Sequence, residues 1–163
     1  MQLELEILKE EYEKEKQTTH SLDSKAGIFL SALIVIVTVW MQIIPIKDII
    51  EVFYLDNYFQ IVVMSILILI LFSLFSIDIF FLVKCLTTKD YSAVNIESII
   101  SEGKKAIHYI DYINAIVDHY KEIICNNSVL NQKKSNYLKY SVNFFGIYSV
   151  LNILILILIF IFL

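Results

Sequence analysis

Arginine is absent, proline occurs once, glycine three times and cysteine twice among 163 residues. Each shortage removes a class of structure. So little proline and glycine leaves few residues for tight turns, which argues against a loop-rich or many-stranded domain and for long helices. Cys85 and Cys125 are too few for a disulfide-stapled secreted scaffold and fit no zinc spacing, so they read as two reduced thiols. Catalytic signatures are missing too: there is no phosphate-cradling glycine loop, no nucleophile elbow and no paired-carboxylate arrangement. His20, His108 and His119 are scattered. His108 and Asp111 share one side of a helix, but two ligands make no metal centre. Neither a metal, a cofactor nor an enzyme is expected.

What is abundant is apolar surface, with 58% of the residues hydrophobic. Three runs stand out, residues 26–44, 61–83 and 144–163. At about 1.5 Å per residue each is long enough to cross a hydrocarbon core of roughly 30 Å. The first run carries no charge, and its only strongly polar side chain is Gln42. A cleaved signal peptide is not expected, because residues 1–25 are acid-rich and helix-forming and no small-residue cleavage site follows Trp40.

Lysine placement sets an orientation. Lys9, Lys14, Lys16 and Lys25 precede the first run, Lys47 alone lies between the first and second, and eight lysines from Lys84 to Lys139 lie between the second and third. The positive-inside rule then puts the N-terminus and residues 84–143 in the cytoplasm, the 45–60 loop outside, and Leu163 at the outer face. The expected fold is all-α: one integral membrane domain with three transmembrane helices and a small helical cytosolic portion. The net charge of −4 sits mostly in the N-terminal helix and signals no nucleic-acid partner.

Along the chain, residues 1–20 read as an amphipathic helix with Leu3, Ile7, Leu8 and Tyr12 marking one face, and with Lys9 and Lys16 near Glu13. Asp23, Ser24 and Lys25 stand where the first span enters the membrane. Within it Ser24, Ser31 and Thr38 recur every seven residues beside Gly27. Such a narrow stripe predicts an interface with another copy of the chain. Trp40 falls in the outer aromatic belt, and Pro45 ends the helix. Asp78 is the one acid embedded in a span, so it needs a partner or water, with Lys25 the first candidate partner and Lys84 the second.

Residues 90–101 read as irregular or weakly helical. A helix is expected over about 104–125, with Ile107, Ile110, Ile113, Val117, Tyr120 and Ile124 on one face, continuing through 126–139 toward the third span. Lys133, Lys134 and Lys139 suit anionic lipid headgroups. Lys104 and Lys105 near a helix start, with Tyr109 and Tyr112 following, offer charge for one phosphate and a ring for a base. Solvated lysines and buried tyrosines are the plainer reading of the same residues. Gly146, Ser149 and Asn152 give the third span a small or polar edge, and lipid contact is expected from residue 153 onward.

At His20-Ser21-Leu22-Asp23-Ser24-Lys25-Ala26, followed by the apolar run, the sequence resembles the transmembrane effectors of Pycsar, the bacterial anti-phage systems that signal with cyclic pyrimidine mononucleotides. An Asp-x-Lys-Ala box opens the first span in that family. The layout is similar over most of the chain, while CLTTKDYSAVNIES stands where family members carry an Arg-rich, Phe-Gly-containing stretch. The resemblance implies an oligomeric effector that stays silent until a pyrimidine nucleotide cyclase makes cyclic UMP or cyclic CMP, and that then disrupts the membrane and is toxic to the infected cell. Asp23, Lys25 and Asp78 would gate or couple. The alternative is a constitutive holin-like or scaffolding membrane protein with no small-molecule ligand.

Overall fold

The computed structural model describes residues 2–43, 58–88, 92–95, 97, 99, 101 and 108–162. Three long helices dominate: α1 (Gln2–Ile43), α2 (Tyr58–Thr87) and α3 (Tyr109–Phe162). Among the described residues there is no strand. All three are long and apolar enough to cross a membrane. Of the stretch expected to be irregular or weakly helical, the described residues 92–95 have no regular structure, and residues 97, 99 and 101 are helical. The side chain of Trp40, together with Pro45, Lys104, Lys105 and Ile107, lies outside the described residues.

α1 joins two sequences of different character without a break. Residues 2–25 are rich in Glu, Lys and Leu, which lose little side-chain freedom in a helix, and residues 26–43 are apolar. Its 42 residues measure about 63 Å and the 54 of α3 about 81 Å. Both therefore continue well beyond the roughly 30 Å of a hydrocarbon core. The expected 104–125 helix and the third span are thus parts of one helix, since nothing between Tyr109 and Phe162 breaks it.

α1 and α3 run side by side in the same direction, as contacts from Glu4 to Lys121, Asp23 to Lys134 and Phe29 to Phe145 show. α2 runs the opposite way, with Cys85 at Lys134, Asp78 at Ser141 and Phe75 at Tyr148. The polar ends of α1 and α3 consequently lie together.

The seam is regular. On α3 one stripe runs through Val117, Tyr120, Ile124, Asn127, Asn131, Lys134, Leu138, Ser141, Phe145, Tyr148, Asn152 and Ile155, at alternating steps of three and four, with the buried Ile123 beside it. On α1 Leu8, Tyr12, Glu15, Thr19, Leu22, Ala26, Phe29 and Leu33 do the same. A 3.5-residue period keeps one stripe facing its neighbour along the whole length, the packing rule of left-handed coiled coils. Leu3 (70% exposed) and Ile7 (49%) fall off this stripe, so the buried face of the amphipathic helix is Leu8 and Tyr12, not Leu3 and Ile7. Ile110, 59% exposed, likewise leaves the face expected of the later helix.

Outside the seam the apolar halves are bare. Leu69, Phe72 and Val150 are 66%, 70% and 67% exposed, on helices where a water-soluble bundle carries charge. The last turns of α3 are not wholly given to lipid, however. Ile155 is fully buried and clusters with Met64 of α2, because both occupy seam positions.

Candidate functional site

In a coiled-coil seam the covered positions are normally apolar, and here five of those on α3 are not. Asn127, Asn131, Lys134, Ser141 and Asn152 are all buried, and together they form a polar ladder up the bundle.

The first four rungs tie α3 to other parts of the chain, and the fifth bonds within α3. Asn127 holds residue 92 as a backbone would: its Oδ1 accepts from the Ser92 N–H at 2.9 Å, and its Nδ2 donates to the Ser92 carbonyl at 3.1 Å. Asn131 faces α1. Its Nδ2 donates to the Glu15 carbonyl at 2.9 Å and to Glu15 Oε2 at 2.6 Å, and its Oδ1 accepts from the Thr19 hydroxyl at 2.8 Å. Lys134 ties both neighbours at once: Nζ reaches Asp23 Oδ1 at 2.7 Å, and its backbone carbonyl accepts from Cys85 Sγ at 3.5 Å. Two turns farther, the Ser141 hydroxyl donates to Asp78 Oδ1. At the top, Asn152 Nδ2 turns back to the Tyr148 carbonyl at 2.7 Å.

No family model, curated protein or solved structure matches this chain. The site therefore stands on its geometry.

That geometry sorts the expected residues. Asp23 is in the ladder, paired with Lys134. Asp78 is in it as well, fully buried, but its partner is Ser141 of α3 and not Lys25 or Lys84. The reason is register: residues 78 and 141 both sit on seams, whereas Lys25 steps off the α1 seam next to Ala26 and is exposed. Lys84 is exposed too, with its ammonium 5.8 Å from the ring centre of Phe80. Asp78 Oδ2 and Asn152 Oδ1 are buried with no hydrogen bond among the described residues. Lys134, read from the sequence as a headgroup lysine, is only 4% exposed and belongs to the core.

Ser24, Ser31 and Thr38 lie exposed on α1, and Gly27 is half-buried. The Ser31 and Thr38 hydroxyls donate to backbone carbonyls four residues back, and a Cβ on Gly27 would meet nothing within 4 Å. The stripe thus faces away from α2 and α3. Tyr109 is 74% exposed at the start of α3, Tyr112 is half-buried, and neither contacts the ladder. Lower on the same seam Tyr120 meets the Tyr12 ring edge-on at 5.9 Å, and burial, with Tyr12 and Glu13 beside it, raises its phenol above the ordinary value. Among the described residues no group of three His, Cys, Asp or Glu gathers as metal ligands would.

Proposed function

We propose that the chain is a multi-pass protein of a bacterial inner membrane, with residues 2–25 and 84–143 in the cytoplasm, that works as a gated membrane-disrupting effector of anti-phage defence. The observation that carries this reading is the polar ladder. Its rungs recur from the charged half of the bundle into the apolar half, with Leu138, Phe145 and Tyr148 between the upper ones, and two of the acids it meets, Asp23 and Asp78, bracket the boundary. A seam that held the helices together and did nothing else would hold about as well with apolar residues at Lys134 and Asp78, because the cost of desolvating each charge offsets most of what its partner, Asp23 or Ser141, returns. Polar rungs exchange partners when helices slide or rotate, which suits two packings separated by a few kcal/mol.

A signal that shifts α3 against α1 at the cytoplasmic end would reach Asp78 along the same helix. The signal class comes from the Asp23-Ser24-Lys25-Ala26 box and its resemblance to Pycsar effectors: cyclic UMP or cyclic CMP from a partner cyclase, taken up near Lys104, Lys105, Tyr109 and Tyr112. The outward stripe of Ser24, Ser31 and Thr38 supports assembly of several copies. The chain itself performs no catalysis on this reading.

The test is membrane potential in cells expressing the protein while cyclic UMP, cyclic CMP or cyclic AMP is raised by an inducible cyclase. Depolarisation with a single pyrimidine nucleotide is expected. Depolarisation without any nucleotide would favour the constitutive, holin-like alternative, and a steady potential under all three would favour a scaffold.

A further inference from the structure

The geometry points to a collar of four lysines, contributed by all three helices, that holds anionic phospholipid headgroups at the boundary between the charged and apolar halves of the bundle. Lys133 and Lys139 flank the buried Lys134 on α3. Lys25 on α1 lies between Asp23, which meets Lys134, and Phe29, which meets Phe145. Lys84 on α2 lies between Phe81, whose ring meets Tyr137 and Tyr140, and Cys85, whose thiol meets the Lys134 carbonyl. All four thus stand level with residues 133–141 of α3, within about 12 Å along the bundle.

Each of the four is exposed, and none is in an ion pair among the described residues. The acids at that level are already engaged: Asp23 with Lys134, and Asp78 inside the seam with Ser141. Among the described residues, no carboxylate at that level offsets the positive charge of the collar. Beside it, Phe81 stacks on Phe144 with ring centres 5.7 Å apart and packs against Tyr140, which is 52% exposed. A half-exposed aromatic patch next to ammonium groups matches the depth at which headgroup phosphate gives way to acyl chain. A zwitterionic headgroup brings no net charge to the collar. An anionic one does.

The inference rests on the membrane reading above, and the experiment separates the two. The full chain is reconstituted into phosphatidylcholine vesicles carrying spin-labelled phosphatidylglycerol or spin-labelled phosphatidylcholine, without nucleotide. Labelled phosphatidylglycerol is expected to be held at the protein surface in preference. That preference should fall by up to about fivefold for each Lys→Gln change at Lys25, Lys84, Lys133 and Lys139, and should weaken with salt. Lys→Arg at all four should retain it, which guards against a folding artefact. Equal association of both lipids, or a preference that survives the fourfold Lys→Gln variant, would overturn the collar. Protein that fails to float with the vesicles would overturn membrane insertion itself, and the collar with it.

Discussion

Removing the carboxylate of Asp23 should cost more stability than removing the ammonium of Lys134, although the two form one pair. The side chain of Lys134 is 5% exposed and that of Asp23 36%, at 2.7 Å. Breaking a buried pair from one side costs about 3–5 kcal/mol, because a charge stays behind without water or partner, while an exposed pair is worth about 0–1 kcal/mol. Asp23→Ala leaves the ammonium in the seam, but solvent screening at the Asp23 end lowers the expectation to about 2–3 kcal/mol. Lys134→Met puts an apolar chain of similar length at a seam position and leaves a carboxylate that can hydrate, for a cost of about 0–1 kcal/mol. The double variant should match Lys134→Met alone. Unfolding followed by helical circular dichroism in detergent, run as a double-mutant cycle, reads all three. A coupling below about 0.5 kcal/mol, or Lys134→Met the worse of the two, would refute the burial argument.

Ser141→Ala should destabilise the bundle by about 1–2 kcal/mol by stranding Asp78, and Asp78→Leu added to it should recover most of that loss in the same unfolding assay. Asn127→Ala removes both bonds to Ser92 and should speed backbone exchange at residues 92–95 in hydrogen-exchange mass spectrometry, with little change along α1. Tyr120 should ionise above the ordinary phenol value, so stability that is present below about pH 10 is lost as pH rises through its folded-state value. The difference in alkaline absorbance titration between the native chain and Tyr120→Phe checks it, and an ordinary titration at Tyr120 would contradict its burial.

The three long helices were legible because uncharged apolar runs and a near-absence of proline and glycine leave few other options. The ladder was not, for a physical reason. Burial in its lower half is carried by Glu15, Thr19, Asn127, Asn131 and Lys134, residue types that read as surface. Lys133 and Lys134 look alike in sequence, yet successive helical residues point about 100° apart, so one faces solvent and the other the seam. The usable signal was spacing: positions 127, 131, 134, 138, 141, 145 and 148 alternate by three and four across the polar–apolar boundary, so the seam can be followed down from the third span. Asp78 was recognisable as an acid in need of a partner. Its partner is a serine of α3 and not a lysine of α1 or α2, because seam register, not opposite charge, decides which side chain meets it.

The most direct measurement of the central claim uses purified protein in vesicles that hold a potential across the bilayer, read with a potential-sensitive dye as cyclic UMP, cyclic CMP or cyclic AMP is added. One pyrimidine nucleotide should collapse the potential, and Lys134→Met, which keeps the fold but removes the ladder's central charge, should blunt that response. Collapse without any nucleotide, or an undiminished response in Lys134→Met, would contradict a gate built on the ladder.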